Sequence, residues 1–172
     1  MRSADGRVCP IQVVRDPRVR TIVLLAPATP WYMAAGALVE VNLPILLWTG
    51  DRDEHCPPFH AQIVERGVRD ARCIERHRVE GDGHFAFQSP FPAAMVSPTF
   101  PPSQDPPGFD RAAFQSVLCA EILSVLQRTL RRSIAGPRSR RNSQTAGCYR
   151  SGASANWMFT GADSPYKRGA AT

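Results

Sequence analysis

Two residues in this chain have the types and placement to do acid–base chemistry, Asp53 and His84, each just past an apolar stretch. Asp53 closes the turn Gly50-Asp51-Arg52-Asp53 after Pro44-Ile45-Leu46-Leu47-Trp48-Thr49, and His84 follows Gly81-Asp82-Gly83 after the segment Arg72 to Val79. A carboxylate fixes the tautomer of an imidazole and stabilises its protonated form. The imidazole so held takes a proton from a nucleophilic hydroxyl or thiol. The bland alternatives are a loop histidine without a role and a turn or helix-capping aspartate. Asp51 and Glu54 are rival carboxylates within the same turn.

Elements that could bring the two together are legible on either side. Thr21-Ile22-Val23-Leu24-Leu25 and Ile45-Leu46-Leu47-Trp48-Thr49 are continuous apolar runs, the pattern of strands buried on both faces of a parallel sheet. Residues 27–43, with Trp31-Tyr32-Met33, read as a loop holding a short helix near Ala34–Val39. Pro57-Pro58 suits a helix start, because proline lacks only an N–H that is orphaned there anyway. His60, Ala61, Ile63, Val64 and Val68 follow at helical spacing, with Gly67 near the stop. In Arg72 to Val79, Cys73, Glu75, His77 and Val79 alternate with Arg72, Ile74, Arg76 and Arg78; the segment is polar for a central strand and is predicted to be an edge strand. Residues 85–109 are proline-rich and predict an extended surface loop. Asp110 is the predicted N-cap of a last helix, Arg111 to about Leu130, with an apolar stripe interrupted by Glu121. Strand, helix, strand, loop, helix predicts a parallel α/β sheet, in which functional groups gather beyond the carboxyl ends of the strands.

Composition divides the 172 residues in two. Residues 1–130 carry 13 Lys+Arg against 14 Asp+Glu, whereas 131–172 carry 8 against 1, so the formal +6 belongs to the tail. The tail is rich in Ser, Gly and Arg and lacks periodicity. It is predicted to be disordered, because its apolar content cannot offset roughly 1–2 kcal/mol per ordered residue. Its Pro137-Arg-Ser-Arg-Arg-Asn stretch could touch phosphates, but no folded reader accompanies it and no specific nucleic-acid partner is expected. Five cysteines at irregular spacing (Cys9, Cys56, Cys73, Cys119, Cys148) and no apolar leader-like run predict a reduced, cytoplasmic protein. No apolar run approaches the roughly 20 residues of a membrane span.

The stretch from Pro44 to Asp53, then Pro57-Pro58-Phe59-His60-Ala61, then Val79-Glu-Gly-Asp-Gly-His84-Phe85 resembles the carboxyl-terminal part of an α/β-hydrolase. The continuation through Phe87, Pro90-Phe91-Pro92 and Asp105-Pro-Pro-Gly-Phe-Asp-Arg111 looks like the predicted dienelactone-hydrolase branch of that superfamily. The resemblance covers about residues 10–130. It implies a partial α/β-hydrolase fold of about three parallel strands, with Asp53 as triad acid and His84 as general base. Asp53 is preferred to its rivals because the family places the acid three residues after the turn glycine. The reaction implied is attack of a Ser or Cys nucleophile on an ester or lactone carbonyl, with a small ester or lactone as substrate. In that family the nucleophile sits on a Gly-x-Ser-x-Gly elbow upstream of these strands. Upstream of Asp53 the candidates are Ser3 and Cys9, and neither lies on a glycine elbow. The chain is therefore expected to hold the acid and base only, to be inactive by itself, and to self-associate through an exposed sheet edge.

Cys56-x-x-x-His60 and Cys73-x-x-x-His77 contain zinc-type ligands. His60 and His77 are equally explained as helix-face and strand residues, so neither a metal nor any other cofactor is expected. A non-catalytic interaction protein, completing its sheet with another chain, is the alternative to the hydrolase fragment.

Overall fold

The two apolar runs form the first strands of a parallel sheet, β1 (Ile22–Leu25) and β2 (Ile45–Gly50), with Ile22 opposite Ile45 and Leu25 opposite Trp48. A computed structural model describes residues 14–134 together with the strands Ala155–Met158 and Arg168–Gly169. β3 (Ile74–Glu80) lies parallel to β2, pairing Ile45 with Ile74 and Gly50 with Val79. Every residue of β2 is buried, as expected of a strand covered on both faces.

Alternation along β2 decides which helix covers which face. Leu46 and Trp48 point to one side and pack with Val79 and with Phe114, Val117, Leu118 and Val125 of α2 (Arg111–Ile134). Ile45 and Leu47 point to the other, against Ala61, Val64 and Val68 in and just after α1 (Phe59–Gly67). Each fully buried large side chain contributes roughly 1.5–3 kcal/mol, so β2 is the strand on which both cores depend.

α1 is the β2–β3 crossover, and Pro58 is its N-cap, next to the start that Pro57-Pro58 predicts. The β1–β2 connection has no α-helix; it holds a single-turn 3₁₀ helix, Pro30–Tyr32, followed by turns. Asp110 caps α2 as predicted, its Oδ1 accepting from Ala113 N–H at 2.9 Å. The helix continues to Ile134, past the boundary near Leu130. The proline-rich stretch is broken by 3₁₀ turns at Ala93–Met95 and Pro101–Ser103. Buried Arg111 anchors it, donating to Asp105 Oδ1 (2.8 Å from Nε), Pro102 O (2.9 Å) and Gln104 O (2.9 Å).

The edge assignment of the third strand needs correcting. β3 pairs on its far side with β4 (Ala155–Met158), parallel, and β4 with the short antiparallel β5 (Arg168–Gly169). The charges that suggested an edge are met by the helices above and below. Arg76 pairs with Glu65 of α1 at 2.8 Å and Glu75 with Arg128 of α2 at 2.7 Å, while His77 stacks on Trp48 with ring centroids 4.4 Å apart. β4 and β5 fall within the tail predicted to be disordered; the rest of that tail after Ile134 lies outside the described residues, as do residues 1–13. Among the described residues no helix is long and apolar enough to cross a membrane.

Candidate active site

Asp53 and His84 lie beyond the carboxyl ends of β2 and β3, which the parallel register brings to the same edge of the sheet. His84 Nδ1 stands 3.0 Å from Asp53 Oδ2. The other carboxylate oxygen, Oδ1, accepts from the backbone N–H groups of His55 (2.9 Å) and Cys56 (2.7 Å). Asp53 is thus held by its own turn, and its side chain is wholly buried while that of His84 is 27 % exposed.

The rival carboxylates are placed elsewhere. Asp51 Oδ1 accepts from Gly81 N–H at 2.7 Å, tying the β2 turn to the β3 turn, and Glu54 is exposed. Gly81 sits at φ +78°, a left-handed conformation that glycine adopts at no steric cost, and this bend lets the chain turn back to present His84. His84 opens a 3₁₀ turn to Phe87, whose position is fixed from α2 by Gln115 Nε2 donating to Ala86 O at 3.0 Å.

His84 faces a cavity of about 340 Å³ lined by Glu54, His55, Phe85, Gln104 and Asp105 among others. The imidazoles of His55 and His84 stack at 4.9 Å, and Phe85 meets both rings edge-on. The exposed edge of His84 therefore opens on a space with aromatic and polar walls, large enough for a small ligand.

Three neighbours of the pair were not placed beside it from the sequence: Cys56 was paired there with His60, and His55 and Asp82 were given no role. Cys56 is a buried free thiol whose titration is pushed up by burial and by the Asp53 charge; its spacing three residues after Asp53 was the available signal. His55 adjoins the pair through the same turn. Asp82 is completely buried, both carboxylate oxygens lack a partner, and it packs against Gly50. Burial, reinforced by the charges of Asp51 and Asp53, pushes its carboxyl up to about 8. Asp82 stands between Gly81 and Gly83, and nothing in the local sequence signals burial.

The residues of the two Cys-x-x-x-His spacings are engaged elsewhere. His60 Nδ1 accepts from Thr29 N–H at 3.0 Å, and Cys73 is disulfide-bonded, a departure from five reduced cysteines. His77 instead meets Glu75 (Nε2 to Oε1, 3.2 Å). That hydrogen bond, helped by Arg128, holds the Glu75 carboxyl below its ordinary range. Glu121, the residue that interrupted the α2 stripe, joins Glu75 and His77 in one polar cluster beneath the helix.

No family model, curated protein or solved structure matches this chain.

Proposed function

We propose that the chain carries the acid–base half of a hydrolase acting on carboxylic esters or lactones, of the α/β-hydrolase type and close to the dienelactone-hydrolase branch. The carrying observation is the 3.0 Å contact between His84 Nδ1 and a buried Asp53 carboxylate whose second oxygen is saturated by two backbone N–H groups. In this role Asp53 keeps the proton on Nδ1 and stabilises the imidazolium. Nε2, toward the cavity, takes the proton of a Ser or Cys nucleophile and returns it to the leaving alkoxide. The 172 residues contain no Gly-x-Ser-x-Gly elbow, so by itself the chain is expected to be inactive.

The test has two arms. The purified chain is expected neither to react with a fluorophosphonate probe nor to turn over a short p-nitrophenyl ester. A version extended upstream in frame to a Gly-x-Ser-x-Gly elbow is expected to do both, with kcat falling by about 10⁴-fold or more in His84→Ala and Asp53→Ala. Turnover that survives both substitutions would sink the assignment.

The interaction-protein alternative rests on one observation. Among the described residues β1 pairs on one side only, with β2, which leaves a ladder edge to which a second strand could add. Concentration-dependent self-association without esterase activity in the extended chain would favour it. A cytoplasmic location goes with the hydrolase proposal; the free thiols of Cys56 and Cys119 favour it, and the Cys73 disulfide counts against it. Thiol titration of chain purified under native conditions is expected to find those two reactive after unfolding; their complete oxidation would exclude a reducing compartment.

A further inference from the structure

We infer that His55 is the positioning residue of the acid–base pair: its backbone holds Asp53 and its ring holds the plane of His84, so one turn residue aims Nε2 toward the cavity. This role rests on the hydrolase reading of Asp53 and His84 and supplies what orients the imidazole in it. His55 N–H donates to Asp53 Oδ1 at 2.9 Å. The His55 ring stacks on that of His84, with centroids 4.9 Å apart and planes 25° from parallel.

A second contact is needed because the first leaves a freedom. The 3.0 Å bond between His84 Nδ1 and Asp53 Oδ2 fixes one corner of the imidazole. Acceptor oxygens take a hydrogen over a broad range of directions, and the histidine χ2 torsion has broad, two-fold wells. The ring can therefore swing about the Nδ1···Oδ2 line with little loss of that bond, carrying Nε2 through an arc. Proton transfer needs Nε2 within hydrogen-bond reach of one nucleophile position, so the arc has to be closed. His55 closes it from one face, at a separation typical of offset-stacked rings. Phe85 braces both rings edge-on, 5.1 Å from His55 and 5.2 Å from His84.

His55 is exposed, so burial does not fix its ring. Its place comes from the turn. Asp53 Oδ1 accepts from the N–H groups of both His55 and Cys56, which sets the backbone of residue 55 beside His84 whatever side chain it carries. Changing that side chain removes the stack and leaves the hold on Asp53. Of the other polar groups lining the cavity, Gln104 Nε2 donates to Ser97 O and Ser103 Oγ, and Asp105 accepts from Arg111, so both are committed to the proline-rich stretch.

The test is NMR of the full 172-residue chain, labelled with ¹⁵N and ¹³C at histidine, at about pH 7.5, above the ordinary histidine range. The His84 signals are those lost in His84→Ala. In wild type His84 is expected as a single Nδ1–H tautomer, with a ring as ordered as a rigid backbone, an order parameter of about 0.85. His55→Ala should keep that tautomer and drop the ring order below about 0.6, whereas His55→Phe, which keeps a flat ring at the same place, should restore it. Unchanged order in His55→Ala, no recovery in His55→Phe, or loss of the tautomer in His55→Ala would each overturn the assignment. Asp53→Asn tests the acid–base pair separately. Asparagine keeps its oxygen on the two backbone N–H groups and turns an N–H toward His84, which should reverse the tautomer to Nε2–H. A tautomer unmoved by Asp53→Asn would remove the acid–base pair, and the role of His55 with it. Reversal there, with ring order untouched in His55→Ala, would remove the role of His55 alone.

Discussion

Asp82→Asn is expected to leave stability nearly unchanged at pH 5 and to raise it substantially at pH 8. Asp82 is fully buried with both oxygens unpartnered, so its charged form has neither water nor a cation to stabilise it. Its carboxyl is displaced from the ordinary 3.8 to about 8, first by burial and then by the Asp51 and Asp53 charges. Between those values the folded chain keeps a proton that the unfolded chain has released. The contribution of Asp82 is therefore fully present below about pH 4 and is lost as pH rises toward 8, with a limiting slope of about 1.4 kcal/mol per unit. Asparagine has the same shape and no charge to suppress, so the slope disappears. Wild type should lose at least about 2 kcal/mol between pH 5 and 8 relative to Asp82→Asn, read by urea denaturation with a chelator present. Mass spectrometry guards against deamidation back to aspartate. Parallel stability curves for the two proteins across that range would refute this. Gly50→Ala probes the same contact from the opposite strand. A Cβ there would overlap Asp82 Oδ1 and come within 2.9 Å of its Cγ, costing roughly 1–3 kcal/mol that should shrink when Asp82 is alanine.

The strands and helices were legible because each carries a pattern that burial alone enforces. Ile45 to Thr49 is apolar without interruption since helices cover both faces of β2, and Asp110 precedes α2 because a helix start leaves N–H groups to be capped. The proximity of Asp53 and His84 followed from parallel topology, which carries two strand ends to one edge. What stayed illegible depends on neighbours far along the chain. Arg76 and Glu75 look like solvent-facing charges until Glu65 and Arg128 arrive from opposite helices. Asp82 sits between two glycines, and only the close approach of Gly50 reveals a buried acid. Cys56 was considered with His60 on helical spacing, whereas the turn folds it back onto Asp53.

Phe114→Ala is expected to cost about 3–5 kcal/mol and to loosen the turn that carries His84. Phe114 is fully buried and meets three aromatic rings: Trp48 of β2 at 5.8 Å, Phe87 at 5.5 Å and Phe109 at 5.6 Å. It therefore joins the sheet, the His84–Phe87 turn and the start of α2 in one contact set, and no smaller side chain spans those distances. Removing the ring takes away its transfer free energy and leaves a cavity between rings that cannot collapse together. Against a total of about 5–15 kcal/mol for a domain, such a loss brings the unfolded state within reach at room temperature. The consequence for the site is specific. Ala86 N–H donates to Gly83 O at 3.1 Å and Gln88 N–H to Phe85 O at 3.0 Å, and these bonds persist only while Phe87 is pinned from α2. Hydrogen exchange at Ala86 and Gln88 should accelerate more than exchange within β2. Leu123→Ala, on the same helix at a side chain 55 % exposed, should stay within about 0.5 kcal/mol of wild type. If Phe114→Ala costs no more than Leu123→Ala, the aromatic cluster does not couple the helix to the histidine turn, and the position of His84 must be set by the Asp53 contact and the Gly81 bend alone.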